Sequence, residues 1–256
     1  MISASITPLE MDKDTSGDFK TALKKPQSYG FAQYRTIFWG KTSFGFAVKA
    51  EILTSLLGSM PGAAGLFLRS KLYPSLFASV GKKLLIGRNV TIRHPQKIRI
   101  GNNVIIDDNC VIDAKGETNH GITMGDNVFI GRNTNIYCKN GDIFIGQNVN
   151  LSASCIVVSS NKLTIREGTV IGAFSHLLSG GEYDYTDKMP FCEQRGIKTK
   201  GELVIGRNCW IGAGVTVLDG SNIGDHCVIG AGAVVTTPIP KDRLAVGVPA
   251  KVVKAI

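Results

Sequence analysis

The sequence predicts an all-β fold, a parallel β-helix of about seven coils with a helical cap at its N-terminal end. Three observations predict it. Aliphatic residues recur at every sixth place, turn formers follow them at fixed offsets, and every insertion falls at one phase of the repeat. A six-residue period fits neither an α-helix nor an alternating strand. It fits a short flat strand plus a tight corner, three of which close one triangular coil.

The aliphatic series runs in seven triads. They are Val80, Ile86, Ile92; Ile100, Ile106, Ile112; Met124, Ile130, Ile136; Ile145, Leu151, Val157; Ile165, Ile171, Leu177; Ile205, Ile211, Val217; and Ile223, Ile229, Val235. Each such residue is expected to point into the prism and stack on its counterpart one coil away, at about 4.8 Å. Glycine follows many of them, as at Gly87, Gly125, Gly131, Gly206 and Gly224. Asparagine or another turn former often stands two positions after the glycine, as at Asn89, Asn103, Asn127, Asn133, Asn148 and Asn208. Both residue types tolerate left-handed backbone at least cost.

Within triads nothing is inserted. Between triads the steps are eight residues from Ile92 to Ile100, twelve from Ile112 to Met124 and nine from Ile136 to Ile145. They are eight from Val157 to Ile165 and twenty-eight from Leu177 to Ile205, and only Val217 to Ile223 keeps the bare six. One vertical edge therefore carries all the loops, and loops on a rigid scaffold are the usual home of function. The longest is too long for a plain turn.

The expected organisation is a polar leader over residues 1–28, a helical arm over 29–79, the β-helix over 80–240 with a long loop at 179–202, and a tail over 241–256. Phe44 to Leu57 and Ala63 to Phe77 have helical apolar spacing, split by Met60-Pro61-Gly62. They read as helices capping the first coil, since an open solenoid end invites association. A second reading is a weak membrane-surface contact through Lys24, Lys25, Lys41, Lys49, Arg69 and Lys71.

Composition narrows the function. Of 256 residues, 43% are apolar, enough for a packed core. The net charge of +9 favours anionic partners, but the basic residues are scattered without interleaved aromatics, which argues against nucleic acid. None of the six cysteines forms a CxxC pair, so no metal is expected, and most lie inside the repeats as small space-fillers. Reduced thiols, with no secretory signal and no bilayer-length apolar run read from the sequence, favour the cytoplasm as the expected location.

The stretches Ile205-Gly-Arg-Asn-Cys-Trp-Ile-Gly-Ala-Gly, Val228-Ile-Gly-Ala-Gly-Ala-Val-Val-Thr-Thr and Ala245-Val-Gly-Val-Pro-Ala-Lys-Val-Val make the chain resemble the hexapeptide-repeat acyltransferases. Among these it is most similar to bacterial polysaccharide and sugar O-acetyltransferases, from about Val80 onward. The resemblance implies a left-handed coil, a homotrimer, and acetyl-CoA as co-substrate in the groove between neighbouring prisms. It implies backbone contacts from Ala213 and Ala231, Thr236 and Thr237 near the adenine, and Lys251 and Lys254 facing phosphates, for which cations are suited. A sugar or glycan-precursor hydroxyl is the implied acceptor.

That chemistry needs a general base, and histidine suits it near neutral pH. His94, His120 and His176 fall at or beside the loop-bearing edge, while His226 does not. His176, outward-facing and next to the longest loop, is the first candidate, and His120 the second. Relatives carry their base about five residues beyond the inward residue of this strand, where this chain has Glu182. A carboxylate there acts as base only if burial raises its pKa, or else orients a histidine. Tyr183, Asp184 and Tyr185 of the same loop are the expected acceptor contacts. A zinc site of the γ-carbonic-anhydrase kind and a nucleotidyltransferase are disfavoured by ligand spacing and by the absence of a large α/β segment. The rival from another class is a non-catalytic trimeric scaffold.

Overall fold

A computed structural model of the chain describes residues 30–181, 183–194 and 198–256. The leader expected over residues 1–28 lies outside the described residues. Three helices open the described part: α1 (Phe31–Trp39), α2 (Phe44–Leu57) and α3 (Gly62–Leu72). Ser43 caps α2 by accepting the Phe46 N–H at 3.2 Å. The helical spacing seen from Ala63 to Phe77 does not give one helix. Pro74 cannot donate, and the chain tightens into a 3-10 turn at Tyr73–Leu76.

Ala47, Ala50, Leu57, Tyr73 and Leu76 are buried in the core that continues into the first coil. Arg69 is buried with them, not displayed at the surface as the sequence suggested. Its Nη1 donates to the carbonyls of Leu57 and Met60 at 2.8 Å, and its Nε to that of Ile86 at 2.9 Å. The guanidinium thus satisfies carbonyls left open at the end of α2 and ties the cap to the coil. Desolvation holds its pKa below the usual arginine value.

Beyond the cap the chain winds a parallel three-faced solenoid. The first face runs from Ser79–Val80 through Ile98–Ile100, Ile122–Met124, Asp142–Ile145 and Lys162–Ile165 to Leu203–Ile205, and single bridges carry it on to Ile223 and Ile239. The second face starts at Leu85–Ile86 and ends with Arg243–Val246, on which Lys251–Ala255 folds back antiparallel. The third runs from Thr91–Arg93 to Val234–Val235. Ile86, Ile106, Ile130, Leu151, Ile171, Ile211 and Ile229 pair in one column, as the six-residue series requires. Every member of the seven triads is buried except Val80, which is half-buried under the cap. All the insertions lie between the third face and the first.

The corner glycines have a different role from the one expected. None of the glycines following an inward residue has positive φ. Their function is close approach: a Cβ on Gly125 would sit 2.7 Å from the Gln147 nitrogen, and one on Gly131 2.7 Å from the Ala153 nitrogen. Left-handed backbone falls two residues later, at Asn89, Asn103, Asn127, Asn133, Asn148 and Asn208. Their amides then form ladders: Asn103 Nδ2 donates to Asn127 Oδ1, and Asn127 Nδ2 to Asn148 Oδ1, each at 3.0 Å.

The cysteines bear out the space-filling reading, except Cys192, which is exposed in the long loop. The buried thiols also donate to the next coil, Cys110 to the Gly131 carbonyl at 3.2 Å and Cys209 to that of Gly224 at 3.1 Å. Burial pushes both thiols up to about 11. Thr169 and Ser175 do the same with hydroxyls, to Gly206 and Gly212. No helix among the described residues is long and apolar enough to cross a membrane.

We expect Ile130→Ala to cost about 2–5 kcal/mol in urea unfolding, because a rigid stack cannot collapse around the cavity. Asn127→Gly should stay within about 1 kcal/mol, since glycine accepts the same backbone conformation.

Candidate functional site

The outer surface of the third face, in its later coils, is where the geometry gathers the expected residues. This face is bordered on one side by the smooth corner that follows the second face, and on the other by the loop-bearing edge. Ala213 and Ala231 stand exposed on the smooth corner, one coil apart. Thr236 and Thr237 are exposed just past Val234–Val235, at the opposite border. His176 lies on the face itself, paired with Ile156 on one side and Thr216 on the other.

His176 is half-buried and points outward, as its neighbour Leu177 points in. It nevertheless stands at the opposite end of its strand from the origin of the long loop. It begins the strand His176–Ser179, so roughly 13 Å of extended chain separates it from Gly180, where the loop starts. His120 does sit on the loop-bearing edge, but between the second and third coils. Its N–H donates to Asp142 Oδ1 at 2.7 Å and its carbonyl accepts from Arg99 Nη1 at 3.2 Å, leaving the ring exposed. His94 is internal: its Nδ1 is 3.1 Å from Asp113 Oδ1, and its N–H donates to the Phe38 carbonyl at 3.1 Å, locking α1 onto the first coil. His226 replaces an asparagine at a left-handed corner and meets Asp242 at 3.2 Å.

Glu182 lies outside the described residues. The described residues of the loop are tied to one another. Gln194 is buried; its Oε1 accepts the Asp184 N–H at 2.9 Å and its Nε2 donates to the Asp184 carbonyl at 2.8 Å. The Asp184 carboxylate pairs with Lys198 and accepts from Thr186 Oγ1 at 2.6 Å. The Lys198 hydrogen bond and then those of Thr186 hold Asp184 well below the usual carboxylate range. Tyr183 meets the Phe191 ring at 5.8 Å, and Tyr185 is exposed. Asp184 is therefore engaged in building the loop, while the two tyrosines are displayed.

One residue that the sequence reading passed over controls this loop. Asp219 is buried at the loop-bearing edge, one coil beyond the loop's origin. Its carboxylate accepts from the Gly180 N–H at 2.8 Å, from Thr199 Oγ1 at 3.3 Å and from the Lys200 N–H, so both ends of the excursion meet at one side chain. On the same edge the hydroxyls of Ser159, Ser160 and Ser221 are buried with no hydrogen-bond partner among the described residues. The only sequence signal was its place in the connection after Val217. Phe174 was also passed over: it is exposed on the smooth corner at φ 61°, where other coils have Asn133, Gly214 or Gly232. The break in the asparagine–glycine pattern was its signal.

Lys251 and Lys254 lie on the last strand of the second face, across the alanine corner from the third. The structure thus frames the third face with Ala213, Ala231, Thr236 and Thr237, seats His176 on it, and leaves His120 and the two lysines to either side. Among the described residues no three His, Cys, Asp or Glu side chains are placed to hold a metal ion.

Comparison with known proteins agrees with this architecture. Residues 203–237 match the repeat described as bacterial transferase hexapeptide (six repeats). The chain is 31% identical over 135 residues to the galactoside O-acetyltransferase of Escherichia coli K12, covering 52% of this chain and 64% of that one. It is 36% identical over 116 residues to a Staphylococcus aureus protein provisionally named an acetyltransferase, covering 45% and 56%. The chain thus spans about three-fifths of the length of the curated relatives it matches. Among solved structures it resembles an N-acyltransferase of Bacillus cereus, held with dTDP-4-amino-4,6-dideoxyglucose and coenzyme A, at TM-score 0.49 and 24% identity over 70% of this chain and 83% of that one. The resemblance to hexapeptide-repeat acyltransferases read from the sequence is borne out.

Asp219→Ala should speed amide exchange at Gly180 and Lys200 together while the coil amides stay protected. The Asp184 clip follows a fixed sign. A carboxylate depressed in the folded state stabilises above its ordinary 3.8 and loses that contribution as pH falls. The Thr186 amide resonance should therefore be constant from neutral pH down to about 4 and shift only below it.

Proposed function

We propose that this chain is an acyltransferase that moves an acetyl group from acetyl-CoA to a hydroxyl of a sugar or glycan precursor. The observation that carries the reading is the 31% identity to a galactoside O-acetyltransferase, on a chain whose later coils frame one solenoid face with the small residues a thioester arm requires. Ala213 and Ala231 present exposed backbone with no side chain beyond Cβ, so an extended pantetheine arm lies close against that corner. Thr236 and Thr237 hold the adenine end. Lys251 and Lys254 meet the phosphates from the second face, as ammonium groups on flexible stems do.

In this reading His176 is the general base. The acceptor oxygen attacks the thioester carbonyl as its proton passes to the imidazole. A tetrahedral intermediate forms, the C–S bond breaks, and the departing thiolate takes the proton back as free coenzyme A. His176 is preferred to His120 because it lies on the framed face, one coil before Thr216. The loop from Gly180 to Lys200, pinned by Asp219, offers Tyr183 and Tyr185 to the acceptor. Assembly as a homotrimer would set a neighbouring prism against the third face and complete the groove. The reading also includes a role in cytoplasmic polysaccharide biosynthesis.

Acetyl-CoA should raise the thermal midpoint, and a panel of sugars should release free thiol from it. The absence of any shift at millimolar acetyl-CoA would sink the proposal. His176→Ala should cut turnover by about a hundredfold or more, with little change in KM for acetyl-CoA. Unchanged turnover would transfer the role to His120 or Glu182. Lys251→Ala with Lys254→Ala should instead raise that KM by about tenfold.

A further inference from the structure

Residues 30–106 contain eleven lysines and arginines against one carboxylate, Glu51, a net charge of +10. Residues 107–256 contain fourteen against fifteen, a net of −1. The positive excess of the chain thus lies toward the cap end of the solenoid, although Asp108 and Asp113 of the next coil pair there with Arg88 and Arg93. Glu51 does not dilute it at the surface: its Oε1 accepts from Tyr34 Oη at 2.5 Å and Trp39 Nε1 at 2.8 Å. Lys41, Lys49, Lys71, Lys82 and Lys83 are exposed around the cap and first coil. Arg69 and Lys97 are spent internally, and Arg88 and Arg93 are paired with carboxylates, so the exposed lysines carry the argument.

Helix α2 carries a second, independent signal. It is apolar on both sides. Ala47, Ala50 and Leu57 face the core, while Phe44, Val48, Ile52 and Leu56, spaced four apart, form the opposite stripe. Of these Phe44 is 62% exposed, Ile52 52% and Leu56 70%. Phe31 extends the stripe, its ring 5.4 Å from that of Phe44. On α3 Phe67 is 61% exposed, with the Lys71 ammonium over its ring at 5.8 Å. A helix apolar all round is normally buried on all sides. Here one side is not covered by any described residue.

We propose that the cap end docks on an anionic lipid bilayer, with the Phe44–Ile52–Leu56 stripe and Phe67 entering the headgroup boundary and the surrounding lysines meeting the headgroups. Bulky apolar side chains ringed by lysines are what an interfacial helix presents, and an anionic leaflet draws basic clusters to within a Debye length. The charge segregation chooses the bilayer over a second copy of this chain, because two such ends repel each other. The apolar stripe chooses it over nucleic acid, which needs cations but no buried Phe, Ile and Leu surface.

The test is sedimentation of the full chain with phosphatidylcholine vesicles, with and without phosphatidylglycerol. Binding should require the anionic lipid and weaken as salt rises. The triple change Phe44→Ser, Ile52→Ser, Leu56→Ser and, separately, Lys41→Glu, Lys71→Glu, Lys82→Glu should each cut the bound fraction by about tenfold. Thermal unfolding checks that each variant folds. The charge variant alters only exposed positions and decides the matter if the triple does not fold. No binding to anionic vesicles overturns the proposal, as it would if residues 1–29 or a second copy sealed the stripe. So does binding indifferent to lipid charge, or equal binding to a single-stranded oligonucleotide that the apolar triple leaves unchanged. The acetyl-CoA thermal shift should persist in the charge variant, so this proposal and the acyltransfer reading fail separately.

Discussion

The molecule depends on how closely one coil can lie on the next. Parallel ladders set that spacing at about 4.8 Å all round the prism. At corners the backbones come together with no room for a Cβ, and Gly125 and Gly131 show why glycine follows the inward aliphatic residue. Asparagine then takes the left-handed turn and adds a side-chain ladder. Small buried thiols and hydroxyls donate one coil ahead. Each of these devices serves the same spacing, so a change at one corner is felt by the stack.

Such a stack tolerates insertion only where the chain can leave and rejoin it without breaking a ladder. Here that place is the edge between the third and first faces. The longest excursion is not a free flap. Asp219 gathers both its ends, and Gln194, Asp184 and Lys198 tie its interior. A carboxylate buried at a solenoid edge is costly unless several donors meet it. Those donors are the amides that begin and end the loop, so the cost of burial enforces the loop's position. A fixed loop beside a framed face is a suitable scaffold for positioning an acceptor.

The two ends of the solenoid differ in character. The C-terminal coils offer exposed alanine corners, threonines and lysines suited to an extended anionic cosubstrate. The cap end concentrates charge and exposes bulky apolar side chains on a helix whose other side is already used for packing. Arg69, which the sequence alone places among the surface cations, instead seals that packing from within. The cap is therefore at once a plug for the first coil and a surface of its own.

The six-residue aliphatic period alone determined the three-faced stack, the number of coils and the single decorated edge. Periodicity is a local property repeated, and each inward side chain needs only its own place in the hexad to be assigned. The starts of α2 and the left-handed asparagines were legible for the same reason. Contacts across coils were not. Whether a histidine stands at the near or far end of its strand follows from where the corners fall: His176 points outward as expected, but at the end of its strand away from the loop's origin. The loop anchor Asp219 is separated from Gly180 by 39 residues, and no local pattern marks that pairing. The burial of Arg69 and His94 was decided by the cap folding back on the first coil. Hydrogen-bond partners chosen by packing, not by spacing, are what only the tertiary structure could supply.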